Sequence, residues 1–150
     1  MASRRTIVAT FGSLALATLG AFGLVSAPAA EAAQTPCDAQ AKACVELHSD
    51  QAWLMNDGSV TRGPVKVAVG RPGHVTPTGT FRVQYKDINH HSKEYNNAPM
   101  PYSVFFTTTG VAFHEGSLSV QSHGCVHLSH ADAVAFYQAL QPGDVVEVKN

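Results

Sequence analysis

At 150 residues, with 10 Lys+Arg against 11 Asp+Glu, 8 His and 3 Cys, the chain is long enough for one domain with a real core and too short for two. A net charge of -1, with no basic cluster beyond Arg4-Arg5, excludes the electrostatic footprint of a nucleic-acid binder. Only 14% of the residues are charged, and 12 Gly and 8 Pro accompany scattered aromatics, which excludes a solvated disordered chain and describes a turn-rich folded body.

In chain order, Arg4 and Arg5 precede an uncharged apolar run over 7–25, and small residues follow over 26–33, which is the pattern of an export signal. Two small-x-small sites are present, Ala27-Pro28-Ala29 and Ala30-Glu31-Ala32; the second starts the mature chain near Ala33. Thr6-Ile7-Val8 is a poor match to twin-arginine export, so general secretion is the expected route. The alternative is an uncleaved anchor, since a span needs about 20 apolar residues, but Gly12, Gly20, Gly23, Thr10 and Thr18 weaken the run as a permanent span. Membrane contact is therefore expected only through this segment, if it is retained. The plan that results is a signal peptide over 1–32, an N-terminal extension over 33–44 and a single domain over 45–150, exported to the cell wall, the periplasm or the exterior.

Export places the cysteines in an oxidising space. Cys37 and Cys44 lie seven apart and can bond each other, closing a short loop worth about 2.5 kcal/mol in the chain-entropy account. Either can instead bond Cys125, and spacing alone leaves the pairing open.

Beyond them the chain reads mostly as strands. Residues 45–47 and 52–55 are short apolar pieces, and Asn56-Asp57-Gly58 is a turn signal before Val60 and the alternating run 65–69. Alternation returns over 81–85, 104–107 and 111–113, the last two joined as a hairpin through Thr109-Gly110. Residues 87–101, rich in His, Asn and Pro, have no periodicity and read as a long surface loop. One helix is expected: Ser129 with Asp132 starts it, Ala133, Phe136, Tyr137 and Leu140 form its apolar stripe, and Pro142-Gly143 ends it before a last strand over 145–148.

The chemistry concentrates in 114–128. A thiol attacks as its thiolate and needs an imidazole to take its proton and backbone N–H groups to hold the developing oxyanion. The segment offers Cys125 with His114, His123, His127 and His130 around it, and Gly124 allows the sharp backbone approach that such a hole requires. A metal reading competes: on an extended segment His123, Cys125 and His127 share a face, and His130 or His114 completes a tetrahedral zinc set. Against it, no paired CxxC or HExxH is present, and a glycine between two ligands is better explained as a turn at a nucleophile. No metal and no organic cofactor is expected.

Two stretches then carry a resemblance. Ser122-His123-Gly124-Cys125-Val126 preceded by His114, and upstream Val69-Gly70-Arg71-Pro72-Gly73-His74-Val75-Thr76-Pro77-Thr78-Gly79-Thr80-Phe81, resemble the two signature stretches of the L,D-transpeptidase catalytic domain, the YkuD-type family, in the correct order. The likeness covers about 45–148 and implies a mainly β, sandwich-like fold with one short helix, in agreement with the strand count. Residue by residue it implies Cys125 as nucleophile and His114 as base, oriented by a backbone carbonyl such as that of Glu115. It further implies Gly124 and Cys125 as oxyanion donors, and His123 and Ser122 as shapers of the site. A catalytic thiol at Cys125 then leaves Cys37 and Cys44 to each other. Substrate contacts are expected from His127, Tyr102, Thr76, Pro77, Gly79 and the 87–101 segment. Two positions depart from the pattern: Glu115 stands where the family often has Gly, and His127 where it often has Arg or Asn, a weaker clamp for an anion.

The implied reaction is acyl transfer on peptidoglycan stem peptides. Cys125 would form a thioester with a donor tetrapeptide, release D-alanine and pass the acyl group to an amine, or to water as an L,D-carboxypeptidase. A carbapenem, a class that acylates this family's cysteine, would distinguish the enzyme from the two alternatives, a noncatalytic cell-wall binding module and a secreted zinc-binding protein.

Overall fold

The structure is a computed structural model and describes residues 34–150; the signal segment and its cleavage sites lie outside the described residues. Nine strands and one helix follow one another as β1 Ala43–Glu46, β2 Gln51–Asn56, β3 Ser59–Lys66, β4 Gly79–Arg82, β5 Tyr85–His91, β6 Pro99–Phe105, β7 Ala112–Glu115, β8 Val126–Leu128, α1 His130–Ala139 and β9 Val145–Lys149. They form a five-stranded sheet ordered β3-β2-β1-β9-β4 and a four-stranded sheet ordered β5-β6-β7-β8. The mainly β architecture with one short helix is the one the sequence implies.

Strand alternation builds three layers of packing. On β1 and β2, Ala43, Val45, Ala52 and Leu54 face the main core, where they belong to one cluster with Val104, Phe106, Phe113, Val126, Leu128 and the helix residues Ala133, Phe136 and Leu140. Cys44, Trp53 and Met55, one step out of phase, form a second cluster on the outer face with Ala41 and Cys37. Cys37 and Cys44 are disulfide-bonded, which fastens the N-terminal extension over that outer face, and Cys125 is free. A third, smaller cluster of Met100, Phe105 and Ala112, with Cys125 against it, lies on the other side of the four-stranded sheet. That face becomes the site.

The local signals act as their chemistry requires. Asp57 and Gly58 both take positive φ (47° and 78°) between the paired residues Asn56 and Ser59, the backbone that a tight hairpin needs. Ser129 caps α1, its side chain accepting the Asp132 N–H at 3.2 Å, and Arg62 on β3 pairs with Asp132 at 2.8 Å.

Two expectations change. The alternating run 81–85 is not one strand: β4 pairs with β9, β5 pairs with β6, and the chain crosses between sheets at Val83 and Gln84, whose N–H groups bond Asp144 and Phe105 respectively. The 87–101 segment is not a long loop either. Residues up to His91 and from Pro99 pair antiparallel, and only 92–98 connect them. Its polar residues hid a ladder whose backbone is satisfied across the hairpin and whose Tyr85 stacks on Phe105 at 4.4 Å.

Candidate active site

Register places the chemistry. β7 and β8 run parallel with Phe113 opposite Val126 and His114 opposite His127, so Val126 and Phe113 point into the core while Ala112, His114 and His127 point to the other face. Cys125 immediately precedes Val126 and shares that outer face. Cys125, His114, His127, Glu115 and His123 line one cleft of about 620 Å³, together with Tyr85, His90, Met100, Phe105 and the 92–98 connection.

The loop that carries Cys125 is held from behind. The Ser122 N–H donates to the Val69 carbonyl (2.9 Å), and the Arg71 N–H to the Ser122 carbonyl (3.1 Å). His127 and Ala68 exchange backbone hydrogen bonds at 2.8 and 3.2 Å. Thr76, almost fully buried, donates to the Gly124 carbonyl at 2.8 Å and accepts the Gly70 N–H at 2.9 Å. Gly70 admits no side chain: a Cβ there would stand 2.1 Å from the His74 carbonyl oxygen and 2.6 Å from the Thr76 nitrogen. The Val69-to-Phe81 stretch thus serves the site mainly as a brace. Thr76→Val, which keeps the shape and removes both hydrogen bonds, should lower stability by about 1–3 kcal/mol. It should also slow acylation of Cys125; thermal unfolding and an acylation rate check it, and unchanged values for both would contradict the brace.

Inside the loop, Ser122 Oγ donates to the Cys125 carbonyl at 2.5 Å and accepts the Gly124 N–H at 3.0 Å. Gly124 sits at φ +120°, a conformation reserved for glycine. That turn directs its N–H onto Ser122 instead of toward the cleft, so of the two expected oxyanion donors Gly124 is occupied within the loop and acts here through its conformation.

His114 is buried, and its Nδ1 donates to the Glu115 carbonyl at 2.8 Å, leaving Nε2 with its lone pair. Burial pulls its pKa down to about 4, against the Glu115 carbonyl and with help from the nearby charges of His127 and His90. Cys125 Sγ lies 3.9 Å from the Gly110 carbonyl; burial pushes the thiol up, opposed by a hydrogen bond from the Ala112 backbone. At neutral pH the pair therefore rests as thiol and neutral imidazole.

The remaining expected residues divide. His127 faces the cleft, its Nδ1 donating to the Ser117 carbonyl at 3.0 Å, and Gly116 makes room for the ring. The Glu115 carboxylate is bound by His130 at 2.8 Å, so its contribution to His114 comes from the backbone. His123 is at the exposed rim, where Arg71 donates to its Nε2 at 2.7 Å and the Tyr95 and His74 rings lie 4.5 and 4.9 Å away. Tyr102 does not reach the cleft: it is out of phase with Phe105 on β6 and packs edge-on against His130 and Tyr137. Thr76 and Gly79 do not line the cleft either, and Pro77 borders a separate cavity with Thr80, Phe81 and Arg82. Among the described residues no three His, Cys, Asp or Glu side chains are grouped to hold a metal ion. Gly70, Gly116 and Arg71 help to build the site although sequence reading assigned them no individual role; the two glycines stood inside the stretches 69–81 and 114–128, which was the available signal, and Tyr95 lies in the 87–101 segment expected to contact substrate.

A free thiol at a strand end, a buried imidazole on the neighbouring strand and a two-sheet body with one helix match the mainly β class of fold that the sequence implies. Residues 40–148 match the family model of the YkuD L,D-transpeptidase catalytic domain, and the chain belongs to that family. L,D-transpeptidase 1 of Mycobacterium tuberculosis is 29% identical over 113 residues, covering 63% of this chain and 45% of that protein. The crystal structure of an L,D-transpeptidase from Stackebrandtia nassauensis aligns at a TM-score of 0.68 with 31% identity, over 72% of this chain and 54% of that one. The LD transpeptidase LdtMt1 in complex with imipenem aligns at 0.65 with 25% identity, over 71% and 57%. The chain thus spans about half the length of the relatives it matches.

Proposed function

We propose that this protein is an L,D-transpeptidase acting on peptidoglycan stem peptides, exported to the compartment where those stems lie. The observation that carries the reading is His114, its Nδ1 held by the Glu115 carbonyl, sharing one cleft with the free thiol of Cys125. Cys125 attacks the carbonyl of the third stem residue as His114 takes the thiol proton, and the Cys125 N–H faces the oxyanion. The intermediate then collapses to a thioester as His114 returns the proton to the departing amine of D-alanine. An amine of a second stem, or water, accepts the acyl group.

Incubation with purified disaccharide-tetrapeptide should release D-alanine, and imipenem should add its mass to Cys125. A protein silent toward both would defeat the reading. The pH dependence is specific to this site: because the base titrates near 4, the acid limb of imipenem acylation should fall near pH 4. A limb at 6 to 7, where an ordinary histidine titrates, would place the base elsewhere.

A further inference from the structure

The cleft holds a second imidazole built like the first. His127 lies directly opposite His114 across the β7–β8 pair, the two rings edge-on at 4.8 Å. In each ring one nitrogen is tied to a backbone carbonyl, Glu115 for His114 and Ser117 for His127. A carbonyl only accepts, so each Nδ1 carries the proton and Nε2 is the basic nitrogen of each ring; at His127 a second carbonyl, that of Val120, lies by the ring and favours its protonated form. The His127 ring is fitted into place: a Cβ on Gly116 would come within 2.7 Å of its Cγ. Along an extended strand two residues span about 6.6 Å and share a face, which sets His127 beside Cys125.

Proton counting gives this ring a task, on the reading of the reaction above. A primary amine with a pKa of about 10 arrives at pH 7 as an ammonium with three N–H protons. The amide it becomes keeps one. Of the two it loses, one passes through His114 to the departing Cys125 sulfur and restores the thiol. The other has to reach water before the nitrogen can attack, and a second base beside the thioester lets it leave while His114 stays ready for the sulfur. We propose that His127 is that base: its Nε2 takes the first proton from the acceptor ammonium, freeing the lone pair that attacks the thioester, and then gives that proton to solvent. Water as acceptor arrives neutral and needs only the His114 proton path, so His127 favours transfer over hydrolysis.

The surroundings suit a ring that gains and loses a proton. Burial holds the ring below the ordinary histidine range, which speeds its release of a proton, and the carbonyls of Ser117 and Val120 oppose burial in part by favouring the protonated form. The titratable groups around it are His114 and Glu115 from β7, Cys125 and His123 from the nucleophile loop, His90 from β5, and Lys93 and Glu94 from the 92–98 connection. Glu115 is bound to His130, so no free carboxylate on β7 holds His127 permanently charged.

The test is His127→Gln, with His127→Asn as a second variant, using disaccharide-tetrapeptide as both donor and amine acceptor. The ratio of cross-linked to hydrolysed product formed from the same acyl-enzyme should fall at least tenfold at pH 7, with D-alanine release followed in parallel to normalise both products to the acyl-enzyme formed. Raising the pH to 9.5, where much more of the acceptor is free amine, should return the ratio toward wild type. An unchanged ratio at pH 7, or a reduced ratio that high pH does not restore, overturns the inference; the second result would make His127 a positioning residue. Lack of D-alanine release from the wild type would instead defeat the assigned reaction, and this role with it.

Discussion

Cys125→Ser should release no D-alanine from a tetrapeptide stem and gain no mass from imipenem, while unfolding within a few degrees of the wild type. The hydroxyl has the shape of the thiol and is somewhat smaller, and the side chain sits partly exposed at the edge of the small cluster of Met100, Phe105 and Ala112, so the space it leaves costs little packing. The chemistry changes completely. A hydroxyl has a far higher pKa than a thiol, and His114, pulled down to about 4, is too weak a base to activate it. The loop that presents residue 125 is held by hydrogen bonds among Ser122, Gly124, Thr76 and the Cys125 carbonyl, none of which uses the sulfur, so its conformation should survive. Full activity in the serine variant would remove Cys125 from the mechanism; a large drop in unfolding temperature would mark it as structural.

His114→Gln should reduce the rate of thioester formation by at least about 10²-fold, the range ascribed to acid–base participation by a positioned side chain. Glutamine can reach the Glu115 carbonyl but cannot take the thiol proton. The same variant reports on stability. In the unfolded chain this histidine titrates near 6.5 and in the folded protein at about 4, so between these values the unfolded state binds the extra proton and stability falls as pH falls. For so deeply buried a ring the whole effect is about 3 kcal/mol, present above pH 6.5 and lost by pH 4. The variant should therefore lose less stability between pH 6.5 and 4 than the wild type, as denaturant titrations at each pH would register. Parallel stability curves for the two proteins, with acylation intact, would refute both the burial argument and the role of His114 as base.

What could be read from the sequence was local or carried by short motifs. The turn at Asn56-Asp57-Gly58, the Ser129 cap and the stop at Pro142-Gly143 depend on the conformational preferences of a few adjacent residues, which are present before the chain folds. The thiol-and-histidine stretch suggested its chemistry because thiol, glycine and four histidines lie within seventeen residues, whereas spacing alone left the pairing of Cys37 and Cys44 open, and the family resemblance pointed to the bond that the structure contains.

Tertiary structure decided what depends on register between strands distant in sequence. Whether 81–85 stays in one sheet, and whether the polar 87–101 segment pairs, rest on partners at 144–148 and 99–105 that no local pattern names. The same register decides which alternate residues share the cleft. It sets His114 opposite His127, turns Tyr102 toward the helix, and makes Thr76 a brace behind the Cys125 loop rather than a contact in front of it. A side chain's chemistry belongs to its residue type, but its direction on a pleated strand reverses with a shift of one position, and only the paired sheet settles that shift.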